Sequence, residues 1–345
     1  MDFISFVTQV VQNPILLVTV LLTCGVIFVN GWTDAPNAIS SCVSTRSMTP
    51  RSALALAAVC NLAGSVIMAL LNSRVAETVF NIAELPSERD AALASLSAGL
   101  CAVVIWSVFA SFLGIPTSES HALLSGISGA AVASSGSFSV INLNEWKIVL
   151  LGLLLSTLPA VMIARVLYSV MKRILRLFER RRAIRHFTRA QRWSAATSAF
   201  LHGGQDSQKF MGVLMMGLSL SGSASSEEFK LPLAVIIACS LVMTLGTLIG
   251  GGRIIKKVGV DMVALDASGG TASDMSSSCI ITLCSVHGIP VSTTHTKTCA
   301  MMGVGSTTRG GTNRQIARQM LLAWVLTFPV CAVIGFILAR IATLL

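Results

Sequence analysis

"GIPTSESH" occupies residues 114–121 and "GIPVSTTH" residues 288–295, each inside an apolar stretch. Pro116 and Pro290 lack an N–H and suit the first turn of a helix. Each phrase therefore predicts a hydrophobic helix that stops, turns and restarts, and the chain does this twice. The surroundings set the environment. Of 345 residues, 53% are hydrophobic and only 12% charged, where a soluble domain carries roughly 25% charged residues. Mean hydropathy is +0.77. An all-α polytopic membrane protein is expected, and an ordinary soluble fold is excluded. The length suits one membrane domain. No cleavable signal peptide is expected, because no Lys or Arg precedes the first apolar run and no small-residue cleavage site follows it. The nine Cys sit in apolar segments without C-x-x-C spacing, which reads as helix packing, not metal or disulfide chemistry.

Apolar runs lie at about 15–29, 52–71, 91–113, 146–170, 193–220, 231–250, 263–286 and 316–342. Most reach the ~20 residues a membrane helix needs. Shorter Gly- and hydroxyl-rich runs follow at 117–138 and 292–308. A second duplicated phrase pairs "NGWTDAPNA" (30–38) with "HGGQDSQKF" (202–210). Asp34 and Asp206 are 172 residues apart, and Pro116 and Pro290 are 174 apart. Two independent motif pairs at nearly one offset divide the chain into repeats, 1–171 and 193–345. Between them lies 172–192, which holds nine of the 25 Lys and Arg against one acid, Glu179. Such a run suits nucleic acid or acidic lipid; in a membrane protein the simpler reading is a cytoplasmic loop.

Charge then orients the repeats. With 172–192 inside and each tip phrase in a hairpin that returns to its own side, loop 72–90 falls outside. It carries Arg74 and Arg89 against Glu77, Glu84, Glu88 and Asp90. Loop 44–51, with Arg46 and Arg51, falls inside. So do 251–262, with Arg253, Lys256 and Lys257 against Asp261, and 305–318, with Arg309, Arg314 and Arg318. Segment 221–230, with Glu227, Glu228 and Lys230, falls outside. Every loop then obeys the positive-inside rule, and both termini lie outside. Each half has three spanning helices and a helical hairpin, re-entrant or fully crossing, and the second half is inverted relative to the first. Charge alone does not separate the two hairpin forms; the Pro and polar tip favour re-entry. Inverted repeats with broken helices place a substrate near the bilayer midplane.

The tips offer an anion site. A helix start presents free N–H groups and a positive dipole end, and Thr117, Ser118, Ser120, Ser292, Thr293 and Thr294 add neutral donors. The alternative is that these hydroxyls only cap and pack helices. His121 and His295 end the tips; donation to a backbone carbonyl, fixing tip shape, is favoured over contact with the anion. Asp34 and Asp206 lie at membrane depth, where a charge is costly and marks function. Asn37 is one turn beyond Asp34, and these hard oxygens suit a small cation. Gly31, Pro36 and the Gly203–Gly204 pair are expected to break the helices there. Lys209 replaces Asn37 in the second half, so an ion pair with Asp206 is expected. Glu119, opposite Thr293, is a proton-coupling or cation residue, or a cap. Asp274 is favoured over Asp266 as a further site residue. A multiply charged oxyanion is expensive to bury without countercharge, so donor tips plus acidic cation sites point to a symporter.

"NGWTDAPNAISSCVSTR", "GIPTSESHALLSG", "HGGQDSQKFMG" and "GIPVSTTHTKTCAMMGVGS" resemble the paired signatures of the inorganic phosphate transporter (PiT) family, in the family's order and across both halves. The resemblance implies uptake of inorganic phosphate coupled to sodium or protons by alternating access, a homodimer in the plasma membrane, no other cofactor and no enzymatic activity. It also implies that the Asp motifs and hairpin tips build the sites. The family has Asn before each motif Asp; here Thr33 and Gln205 stand there, both still oxygen donors, and Gln205 is counted with the coupling residues. Sulfate or another oxyanion is the alternative cargo, since related permeases share the architecture. Duplicated sites argue against an enzyme, and a channel would pass ohmic current instead of saturable flux.

Overall fold

The structure, a computed structural model, describes residues 3–115, 117–222, 229–308 and 310–344; Pro116, Glu227, Glu228 and Arg309 lie outside the described residues. These residues form helices and no strand: α1 Phe3–Gln12, α2 Pro14–Thr33, α3 Ala35–Ser44, α4 Pro50–Leu71, α5 Arg74–Phe80, α6 Arg89–Phe112, α7 Glu119–Ser135, α8 Leu143–Leu175, α9 Arg180–Leu220, α10 Leu233–Ile249, α11 Gly252–Ile254 continuing into a π-helical stretch Ile255–Asp261, α12 Ala267–Val286, α13 Thr293–Gly305 and α14 Arg314–Ala342. Their starts follow local chemistry. Asn13 caps α2 by accepting the Ile15 and Leu16 N–H groups, with Pro14 at the first position. Thr49 and Pro50 do the same for α4.

The elements fall into two matched series: α2–α3 with α9, α4 with α10, α5 with α11 and its π-helical extension, α6–α7 with α12–α13, and α8 with α14. Packing between the series is reciprocal. α8 lies against α12 and α13 of the second half, and α14 lies against α6 and α7 of the first. α2 packs on α10, and α9 on α4. Isolated bridges Ala83–Ile141 and Val263–Thr312 close the two hairpin regions in the same manner. Close approaches repeat as well. A Cβ on Gly31 would overlap the Met243 carbonyl oxygen, and one on Gly203 the Asn61 carbonyl oxygen.

Among the described residues, five helical stretches are long and apolar enough to cross a membrane: Pro14–Ser44, α4, α6, α8 and α14; a sixth is α10 with its continuation, bent by 61°. α9 and α12 were expected among the spans and fall outside this group. Their central turns, Gln205–Lys209 and Ser273–Ser278, are polar and face the bundle interior, where nearly all of these side chains are buried. The second hairpin arms, α7 and α13, have 17 and 13 residues. At ~1.5 Å per residue they fall short of a ~30 Å hydrocarbon core, which fits re-entry.

Two local expectations are corrected. Segment 172–192 is not a loop: α8 runs to Leu175, a short turn follows, and α9 starts at Arg180. Its residues are good helix formers, and the exposed basic turns need no partner to stay helical. The Gly203–Gly204 pair does not break α9, which continues unbroken from Arg180 to Leu220. Those glycines admit Asn61 and Met68 of α4 against the helix. The break survives only in the first half, at Asp34 between α2 and α3, where Pro36 lacks an N–H.

The halves differ most beside α12 and α13. Asp274 pairs with Lys297 and accepts from Ser41 Oγ (2.7 Å), Gln191 Nε2 (2.6 Å) and Ser194 Oγ (2.9 Å). The residues 174 earlier are Leu100 and Leu123, both fully buried. Asp274 is thus part of a buried network joining α3, α9, α12 and α13, and Asp266 caps α12 by accepting from Gly269 N at 2.7 Å.

Gly203→Ala is expected to lower the melting temperature of the purified protein, by overpacking worth about 1–3 kcal/mol. Gly25→Ala, where nothing lies within 4 Å, is expected to be neutral or stabilising. Asp274→Leu alone leaves Lys297 buried without its partner, costing about 3–5 kcal/mol. The double variant Asp274→Leu/Lys297→Leu, which copies the first half, should recover most of that loss in the same thermal assay.

Candidate functional site

The two tips meet. The rings of His121 and His295 stand edge to face with centroids 4.6 Å apart; His121 stacks on Phe328 at 4.3 Å and His295 on Trp324 at 3.8 Å. Both ring nitrogens of His295 and Nδ1 of His121 are buried without a hydrogen-bond partner among the described residues. The histidines therefore hold the tips by ring packing; the expected bond from His295 to a carbonyl is not made.

Ser118 and Ser292 occupy matching cap positions. Their Oγ atoms accept the N–H of His121 and His295, each at 3.3 Å. Capping uses the oxygen only. Each hydroxyl proton has no acceptor among the described residues, so a cap can still donate outward. Thr117 is buried beside them.

The acidic residues gather directly beneath. Asn30 Nδ2 lies 3.4 Å from Asp34 Oδ2 and 3.5 Å from Asp206 Oδ2, so one amide stands between the two motif carboxylates. Asp206 Oδ2 also accepts from Thr293 Oγ1 at 3.0 Å and lies 3.3 Å from His202 Nδ1. Its Oδ1 takes Lys209 Nζ at 2.6 Å, the ion pair expected from sequence. Asn37 Nδ2 donates to Thr294 Oγ1 at 3.1 Å. Thr33 bonds Glu119 Oε1, while Glu119 Oε2 is buried without a partner. Ser120 Oγ accepts from Lys209 at 2.6 Å.

Glu119, Ser120, Thr293, Thr294, Asp34, Asn37 and Asp206 thus come into one buried cluster linked through Thr33, Asn30 and Lys209, with Thr117, Ser118 and Ser292 buried at the adjoining starts of α7 and α13. Gln205 does not join it. Its Nε2 donates to Ile289 O at 3.0 Å and its Oε1 accepts from Ser285, so it fastens α9 to the second hairpin instead. Asn30 and His202 belong to the cluster and were missed. They are 172 residues apart, at the heads of the two Asp phrases, and that shared offset was the available signal. Asp34, Asn37, His202 and Thr293 line a cavity of about 10 Å3, room for one water at most. A tetrahedral oxyanion does not fit this cavity as it stands.

Chemically, the cluster combines helix-start N–H groups and hydroxyl donors on one side with carboxylate and amide oxygens on the other. That pairing suits an oxyanion and a small cation held in contact, each lowering the cost of burying the other. The chain matches the phosphate transporter family over residues 30–335. It is 34% identical over 330 residues to a probable low-affinity inorganic phosphate transporter of Bacillus subtilis, covering 94% of this chain and 97% of that one. A protein of the same description from Mycobacterium bovis is 33% identical, over 94% of this chain and 76% of its own. The solved structure of a sodium-dependent phosphate transporter superposes with a TM-score of 0.87 at 19% identity, covering 96% of this chain and all of the other. These relatives are transporters, and both motif pairs lie within or at the edge of the matched range: the chain belongs to the phosphate transporter family.

Proposed function

We propose that this protein takes up inorganic phosphate together with a cation, sodium or a proton, by alternating access around the cluster between the tips. The single observation that carries the reading is the meeting of two capped helix starts with Asp34 and Asp206 in one buried site. Phosphate lies against the tip N–H groups and the hydroxyls of Thr117, Ser118, Ser120, Ser292, Thr293 and Thr294. Asp34 and Asn37 hold the cation, and a TM-score match to a sodium-dependent phosphate transporter favours sodium. Asp206 is neutralised by Lys209. Thr33 has one hydroxyl proton and two acceptors in range, Val29 O at 2.8 Å and Glu119. Both are satisfied when Glu119 carries a proton of its own, which suits a proton-coupling role and removes a carboxylate charge from beside the anion.

The two halves are inverted relative to each other, so the first tip enters from outside and the second from inside. The basic turn between α8 and α9 is cytoplasmic, both termini are outside, and two copies associate in the plasma membrane. Sulfate fits the same donors. Phosphate is favoured because the relatives carry its name.

Purified protein in liposomes is expected to accumulate labelled phosphate when an inward sodium gradient or an inward proton gradient is imposed, and sulfate at equal concentration is expected to compete weakly. Accumulation under neither gradient sinks the proposal. Ser292→Ala removes one charge-assisted hydrogen bond worth about 1.5–3 kcal/mol, so KM for phosphate should rise by roughly 10- to 100-fold. Asp34→Asn should uncouple uptake from the gradient, read as equal rates with and without it.

A further inference from the structure

Lys209 is 1% exposed, and its ammonium touches three oxygens at one distance: Asp206 Oδ1, Ser120 Oγ and Val291 O, each at 2.6 Å. They come from α9, from the start of α7 and from the loop before α13. All three N–H donors of the ammonium are used. A carboxylate, a hydroxyl and a backbone carbonyl converging on a buried point charge are also the oxygen types that bind a small hard cation.

The repeat offsets give each of these oxygens a counterpart in the first half, without the ammonium. Asp34 matches Asp206, Thr294 matches Ser120, Thr117 matches Val291, and Asn37 matches Lys209. The match extends to bonding: Asn37 Nδ2 reaches Thr294 as Lys209 Nζ reaches Ser120. Asn37 stops short of a cation's place because its amide is neutral and shorter. Its Oδ1 is buried, without a hydrogen-bond partner among the described residues, and Asn37 lines the cavity beside Asp34. An oxygen left over at that place is a ligand; an ammonium there would be a competitor.

We propose that Lys209 is a tethered substitute for a coupling cation. The second half carries its positive charge on the chain, and only the first half exchanges a free ion, at Asp34, Asn37 Oδ1, Thr294 and the Thr117 carbonyl. The inference rests on the transport reading above. It adds that one of two matched cation positions is permanently filled, so the cycle takes up one fewer cation than a symmetric pair of sites would.

Exchange variants of the full chain test this. Lys209→Asn copies the first half and opens the second position; Lys209→Met fills the space without charge; Asn37→Lys tethers a charge in the first half as well. Thermal unfolding is measured without phosphate, in sodium chloride against choline chloride at equal ionic strength. Lys209→Asn should gain a sodium-dependent rise beyond that of the wild type, on the order of 5 °C at sodium well above its binding constant. Lys209→Met should gain none, and Asn37→Lys should lose whatever rise the wild type shows. In liposomes, the Hill coefficient for sodium in phosphate uptake should be higher by about one in Lys209→Asn. A folded Lys209→Asn with no added sodium response overturns the proposal; if that variant does not fold, a sodium rise retained by Asn37→Lys overturns it. Wild-type chain that accumulates no phosphate instead refutes the transport reading, and the unfolding measurements still decide the role of Lys209.

Discussion

A buried ammonium with three oxygen neighbours organises the centre of this protein. Lys209 ties α9 to the start of α7 and to the loop before α13, and so binds the first hairpin to the second through one side chain. At membrane depth neither member of the Lys209–Asp206 pair is tolerable alone, since an unpaired charge at the bilayer centre costs at least about 2.5–3.5 kcal/mol. The pair itself is closed within α9, and the two N–H donors left on the ammonium draw in Ser120 and the Val291 carbonyl from the two tips. The edge-to-face contact of His121 and His295 accompanies that convergence, whereas the cap bonds of Ser118 and Ser292 are local to each tip.

Much of this was legible in the sequence because repetition is a signal that needs no structure. Two phrases at offsets of 172 and 174 pointed to the turns before α7 and α13 and to both motif carboxylates. What remained hidden lay where one residue type has two uses. Gly203 and Gly204 read as a helix break, yet in α9 they serve close packing against α4. The basic turns of 172–192 read as a loop, because charge density says where a segment lies and not whether it is helical. Gln205 stands beside a motif Asp and was counted with it, but successive helix residues point about 100° apart. Its amide therefore faces Ser285 and Ile289 while Asp206 faces the cluster.

Asn30 and His202 were missed for a different reason. Each precedes its Asp by four residues, which places it on the same helix face. An Asn and a His do not look like a matched pair until the offset is applied to every position of the phrase. Their chemistry is asymmetric as well. Asn30 reaches both carboxylates, whereas His202 serves only Asp206 and Thr293. The site is a symmetric frame with unequal fittings.

The inequality grows away from the centre. In the first half Leu100 and Leu123 pack as ordinary core. In the second, Asp274 and Lys297 stand at the same places and recruit Ser41, Gln191 and Ser194 across α3 and α9. An apolar contact can slide with small loss, because dispersion and burial are not directional. A fully bonded buried ion pair cannot, because displacement strands charges that have no other partners. The two hairpins are therefore held by different physics. At these two positions the first hairpin rests on apolar neighbours, while the second is bonded to α9 through Gln191 and Ser194. Moving the second hairpin relative to α9 must then cost more than sliding the first past its apolar contacts at Leu100 and Leu123, unless water enters with the movement to replace the lost bonds.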